Sequence, residues 1–159
     1  VFPLHLLPFT VVGAAFVQFL LASGILFVAH FWLHGFSWAL LAWPLSWLSL
    51  LVFSLGLCLL LSALTVYLRD ISQVTGFVST FLLFMAPVFY PLASAPQGIQ
   101  TALLFNPLTI PVETSRALFA DSPLPDAYLL LVHAAASFLF LILGAWVFRK
   151  TRRGFADVI

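Results

Sequence analysis

Leu68-Arg69-Asp70-Ile71, then Met85-Ala86-Pro87-Val88-Phe89-Tyr90-Pro91, then a proline-punctuated stretch reaching Asp126: the run from Tyr67 to Asp126 decides how this chain folds. The first 68 residues contain no Asp, Glu, Lys or Arg, so Arg69 and Asp70 are the first formal charges met. An adjacent charged pair after so much apolar chain marks a return to water. From Ser79 to Tyr90 the sequence goes back into hydrocarbon, and residues 93–126 are too polar and too rich in proline for a simple span.

Composition fixes the class. The chain is 64% hydrophobic and only 7% charged, with a mean hydropathy of +1.18. A soluble domain carries about 25% charged residues, so this is an integral membrane protein. The expected fold is all-α, a polytopic membrane protein with about four transmembrane helices plus two short re-entrant or interfacial helices in an outer loop. The single cysteine, Cys58, excludes an internal disulfide and reads as a small buried hydrophobe. The net charge of +1 comes from few basic residues, mostly in one tail, and offers nothing to nucleic acid. Residue 1 is Val, so the chain is expected to begin inside a longer one or after processing, and its opening lacks the basic flank and small-residue cleavage site of a signal peptide.

A helix needs about 20 mostly apolar residues to cross the hydrocarbon core. On that measure residues 1–159 form one membrane domain with spans near 7–32, 43–67, 75–92 and 127–148, an outer loop at 93–126 and a tail at 149–159. Gln18, the only strongly polar residue inside the first span, is expected to hydrogen-bond a neighbouring helix, with substrate contact as the alternative. Trp32, Trp38, Trp43 and Trp47 cluster at the connection between the first two spans, where amphipathic rings favour the headgroup level. Pro87 should stop or kink the third span near Met85. The small-residue patch Ala134-Ala135-Ala136-Ser137 is a candidate packing face on the last span.

Basic residues set the orientation. Arg149, Lys150, Arg152 and Arg153 follow the last span directly, which predicts a cytoplasmic C-terminus. Four spans then place Arg69 and Asp70 in the cytoplasm and the 93–126 loop outside. Two segments of that loop read as short helices. Pro96 to Phe105 is preceded by Ser94, with Gln97 completing a capping box; Pro111 to Ala120 carries proline in its first turn, and Asn106-Pro107 separates them. Each is too short to cross, and the pair reads as a lid or gate. Glu113 and Arg116, spaced i and i+3, either pair on one helix face or remain a solvated surface pair.

At the inner break, Asp70 with Gln73 can form a capping box that starts a short helix able to dock a cytoplasmic partner. Phe77, Phe81 and Phe84 form one stripe on the third span, suited to packing, lipid contact or the lining of a pathway. The only lysine is Lys150 and no phosphate-binding loop is present, so ATP work must fall to another subunit. His30 and His34 lie one turn apart, but no carboxylate or cysteine completes a metal site; His5 and His133 are isolated, and no hydrolase motif is present.

The series Val1-Phe2-Pro3, Leu61-Ser62-Ala63-Leu64-Thr65-Val66-Tyr67-Leu68-Arg69-Asp70-Ile71, Ala86-Pro87-Val88-Phe89-Tyr90-Pro91, Asn106-Pro107-Leu108-Thr109, Arg116, and Phe148-Arg149 through Phe155-Ala156-Asp157 resembles the type 2 ABC exporter permeases. It is most similar to those moving O-antigen, capsular polysaccharide or teichoic acid. The resemblance implies a homodimeric permease of the bacterial cytoplasmic membrane with six spans per subunit, of which this chain would be the C-terminal four. It implies two ATPase subunits that bind ATP and Mg, no cofactor on this chain, and a polyprenyl-diphosphate-linked polysaccharide as cargo among membrane lipids. By the same resemblance Arg69, Asp70 and Ile71 would couple to the ATPase. Pro87, Tyr90, Asn106, Pro107, Glu113 and Arg116 would belong to the outer gate, and Phe77, Phe81 and Phe84 would fall near the conduit. The rival readings are an embedded enzyme of lipid-linked glycan assembly, a structural membrane subunit and an inactive permease fragment.

Overall fold

The structure, a computed structural model, describes residues 6–35, 43–68, 70–120 and 122–151. Among these residues the chain is helical with no strand, the all-α architecture expected. Helix α1 runs Leu6–His34 and ends at Gly35, whose φ of +80 suits only glycine readily and whose N–H reaches the Phe31 carbonyl at 3.0 Å. Helix α2, Trp43–Ser46, is separated from α3, Leu48–Thr65, by a turn at Trp47. Then follow α4, Ile71–Met85, α5, Gln97–Leu104, α6, Thr109–Phe119, and α7, Ala127–Thr151.

Three of these stretches are long and apolar enough to cross a membrane: Leu7–His34, Trp43–Thr65 and Ala127–Thr151. The third expected span, 75–92, is instead α4. It starts earlier and stops at Met85 after 15 residues, about 22 Å of helix against a core of about 30 Å. The stop has a local cause. Ala86 is extended (ψ 138) with its N–H turned to the Leu83 carbonyl at 3.2 Å, and Pro87 brings no N–H to continue the ladder.

The frame is the α3–α7 pair. A Cβ added to Gly144 would lie 2.1 Å from the carbonyl oxygen of Gly56, so the two backbones touch where the helices cross. Apolar helices gain no hydrophobic driving force from pairing in lipid, and close backbone approach supplies dispersion instead. Toward the C-terminal ends of both helices, Leu59, Ala63 and Phe148 form a buried cluster flanked by Leu55, Val66, Leu141 and Ala145. The expected packing patch is not buried among the described residues: Ala134, Ala135 and Ala136 are exposed and only Ser137 is buried. Glycine allows a closer crossing than alanine, and the contact forms at Gly144. At the far end, the Tyr67 hydroxyl donates to the Thr151 carbonyl at 3.1 Å and ties the ends of α3 and α7 together.

Rings bring α1 onto this frame. Phe19 stacks on Trp43 (4.9 Å) and lies against Trp47 (4.8 Å), while Phe27 meets Trp43 edge-on (5.3 Å). Trp43 is therefore only 3% exposed, a packing residue rather than the headgroup anchor expected. Trp32 remains exposed, and Trp38 lies outside the described residues. Gln18 is exposed and its side chain forms no hydrogen bond among the described residues, so the interhelical bond expected of it is not made within them.

Candidate functional site

The loop that follows α4 has to find partners for its backbone. Where irregular chain lies at membrane depth, each unsatisfied N–H or C=O costs several kcal/mol. The Leu82 carbonyl has lost its ordinary helical partner, because the Ala86 N–H has turned to Leu83. The Asn106 side chain replaces it, Nδ2 donating to the Leu82 oxygen at 2.7 Å. Past Pro87, Nη2 of Arg116 donates to the carbonyls of Pro87 at 2.8 Å and Val88 at 3.1 Å. Its Nη1 pairs with Oε1 of Glu113, and that same oxygen accepts the Leu92 N–H at 3.0 Å. Asn106 thus holds the chain before the break and one turn of α6 the chain beyond it.

The turn between α5 and α6 is held as firmly. Oδ1 of Asn106 accepts the Leu108 N–H at 3.0 Å, and Thr109 Oγ1 donates to the Leu103 carbonyl at 2.5 Å. Nε2 of His133, in α7, donates to the Pro107 carbonyl at 2.9 Å. His133 lies six residues past Ala127, so the Asn106-Pro107 turn sits level with a point about 9 Å along α7. The opposite end of α6 lies elsewhere: Phe119 meets Phe27 (5.9 Å), His30 (5.5 Å) and Trp43 (5.9 Å), where α1 ends and α2 begins. Between the two, Trp47 Nε1 donates to Ser115 Oγ at 2.8 Å. Helices α5 and α6 therefore form a re-entrant hairpin whose tip points into the bundle and fills the layer that the short α4 leaves.

Of the expected gate residues, Pro87, Asn106, Glu113 and Arg116 fall into this one bonded cluster, with Pro107 at the tip. Glu113 and Arg116 do pair, with side chains only 19% and 29% exposed. Tyr90 is half-buried in the connecting loop and forms no hydrogen bond among the described residues. The Ser94–Gln97 capping box does not form: Ser94 lies in a 3-10 turn, Pro96 takes the N-cap, and Gln100 Nε2 donates to the Ala95 carbonyl at 2.7 Å. Phe77, Phe81 and Phe84 all face away from the chain, Phe77 at 74% exposure.

At the other end, Asp70 occupies the N-cap position of α4 but makes no side-chain cap, so the expected Asp70–Gln73 box is absent. No separate short helix forms there among the described residues. The chain reverses through a tight turn in which the Ile71 N–H bonds the Leu68 carbonyl at 3.3 Å, and Ile71 opens α4 directly. Arg69 lies outside the described residues. His30 and His34 stack at 4.8 Å, and among the described residues no group of three or more metal-ligating side chains comes together.

His133 and Trp47 were missed by sequence reasoning. A lone histidine and an interfacial tryptophan carry no spacing signal, and only the fold reveals that each donates to the hairpin.

The sequence pattern of the ABC-2 type transporter family matches residues 2–120, from ahead of α1 to the end of α6, and so includes the whole hairpin. The chain belongs to the ABC-2 type transporter family. This ABC-2 type chain is 29% identical to the O-antigen export system permease protein RfbA of Myxococcus xanthus, over 99% of its own length and 62% of that protein. To an O-antigen export system permease protein RfbA of Klebsiella pneumoniae it is 23% identical, over 100% of its length and again 62% of the relative. The chain thus spans about three fifths of the length of these curated relatives.

Proposed function

We propose that this ABC-2 type chain is a permease subunit of an ATP-driven exporter that moves a polyprenyl-diphosphate-linked polysaccharide of the O-antigen kind out across the bacterial cytoplasmic membrane. The observation that carries the reading is the re-entrant hairpin clamped by Arg116, Glu113 and Asn106, in a chain whose relatives are O-antigen export permeases. ATP and Mg would be bound by a separate ATPase subunit, and a second copy of the permease would complete the pathway.

The geometry suits such work. The α3–α7 frame is stiff, since its backbones touch at Gly56 and Gly144. Helix α4 is a rod of about 22 Å that joins the turn at Asp70-Ile71 to the clamp at Pro87. A push from the ATPase on Arg69, Asp70 and Ile71 would tilt α4 against the frame, displace the Leu82, Pro87 and Val88 carbonyls from Asn106 and Arg116, and release the hairpin outward. Phe77, Phe81 and Phe84, exposed on that rod, would then meet the cargo or the second copy.

The test is to solubilise the tagged, intact permease under mild detergent and identify co-purifying proteins by mass spectrometry, for wild type and for Arg69→Ala with Asp70→Ala. A near-stoichiometric P-loop ATPase that the double variant loses, together with export, is expected. Recovery of glycan-assembly enzymes without an ATPase would contradict the reading, as would a double variant with unchanged assembly and export.

A further inference from the structure

The basic end of α7 has no ion-pair partner among the described residues. Arg149 and Lys150 are both exposed, and the one ion pair among the described residues is Glu113 with Arg116 at the opposite end of the bundle. Arg149 uses Nε on its own helix, a long 3.4 Å contact to the Ala145 carbonyl, which leaves both terminal nitrogens without a hydrogen bond among the described residues. Lys150 Nζ lies 5.0 Å from the centre of the Trp146 ring, and Trp146 is itself exposed. An ammonium over an exposed tryptophan is drawn down to the interfacial layer where headgroups lie, rather than extended into bulk water. Arg152 and Arg153 follow in the sequence.

This end is also held in place. Phe148 is buried between α3 and α7, and the Tyr67 hydroxyl bonds the Thr151 carbonyl at 3.1 Å, so the helix end that carries the cations is tied to the end of α3. Anchoring of a helix end needs cationic charge but no fixed register. Here two cations sit on the last turn of a helix, beside an exposed tryptophan and with no carboxylate paired to them among the described residues.

We propose that Arg149 and Lys150, held by the Tyr67–Thr151 contact, form a binding site for the phosphate of a membrane-lipid headgroup. Arginine supplies a planar fork of donors and lysine a compact charge, the pairing that phosphate recognition uses. Two sources share this chemistry: the diphosphate of the lipid-linked cargo, the assignment that rests on the function proposed above, and an anionic phospholipid of the surrounding leaflet.

The test uses the intact permease in phosphatidylcholine nanodiscs, with either a polyprenyl diphosphate or phosphatidylglycerol added as probe and bound lipid counted by native mass spectrometry. Arg149→Gln with Lys150→Gln is compared with the charge-preserving exchange Arg149→Lys with Lys150→Arg. Each basic residue near a charged lipid surface is worth about a fivefold change in affinity, so the Gln pair should lose about 25-fold. The exchange should retain most of the binding. Loss confined to the diphosphate assigns the site to cargo, and loss of phosphatidylglycerol binding assigns it to the leaflet; either supports the site. Unchanged binding of both probes by the Gln pair, with its C-terminus shown by protease accessibility to be on the wild-type side, overturns it. Co-purification of the ATPase is read in parallel, so a failed site is distinguished from a failed permease assignment.

Discussion

Replacing Arg116 with Met should destabilise the chain far more than the loss of a surface ion pair. The guanidinium serves the Glu113 carboxylate and the carbonyls of Pro87 and Val88 at once. Pro87 is fully buried, so its carbonyl is left without a partner, while Val88 is 41% exposed and its carbonyl is the less costly of the two to release. A hydrogen bond to a charged donor is worth about 1.5–3 kcal/mol, and removing one member of a fully buried pair costs about 3–5 kcal/mol. Because the pair is partly solvated, the lower ends apply, and the expected loss is about 3 kcal/mol against about 0–1 kcal/mol for an exposed pair. Adding Glu113→Gln should recover about 1 kcal/mol, because the amide oxygen still accepts the Leu92 N–H and no unpaired charge remains. The assay is equilibrium unfolding in mild detergent by SDS titration, followed by tryptophan fluorescence. Arg116→Met within about 0.5 kcal/mol of wild type, or a double variant weaker than the single one, would refute the argument.

Other substitutions probe the same frame. Gly144→Ala should cost at least about 1–3 kcal/mol because its methyl meets the Gly56 carbonyl, whereas Gly13→Ala, with nothing within 4 Å, should be neutral or stabilising by about 0.5–1 kcal/mol; both are read by the same SDS titration. Asn106→Asp should be worse than Asn106→Ala, since it turns a lone-pair oxygen toward the Leu82 carbonyl, and the reverse order would mean that the Asn106 bond is incidental. His133→Ala should cost about 1–2 kcal/mol and raise the proteolytic sensitivity of the 105–108 turn, whereas His133→Ala with wild-type protection would remove α7 from the clamp.

The membrane class and the helical fold were legible because hydropathy and charge scarcity are properties of whole segments. Pro87 announced the end of α4 because proline acts through its own backbone, and the i, i+3 spacing of Glu113 and Arg116 was enough to suggest their pairing. What that pair holds was not legible. The Pro87 and Val88 carbonyls meet Arg116 across nearly thirty positions, and nothing in the side chains of Pro87 or Val88 records that their carbonyls lack partners. The same holds for His133, whose bond to the Pro107 carbonyl depends on where the hairpin docks. The patch at Ala134 to Ser137 does not carry the α3–α7 contact, because small size permits close packing without requiring it; that contact lies at the glycine pair, where the steric limit is lower. Capping boxes failed at Asp70 and Ser94 because the neighbouring turn and Pro96 set the backbone first.

That the hairpin is a gate is tested most directly by tying it shut. In the intact permease with Cys58→Ser and every other native cysteine replaced, cysteines are placed at Pro107, whose carbonyl meets the His133 side chain at 2.9 Å in the native chain, and at His133, and joined with a short bis-maleimide. The account predicts that the unlinked variant exports and that the linked one stops while its ATPase still co-purifies. Export at the unlinked rate with the tip covalently fixed to α7 would contradict it.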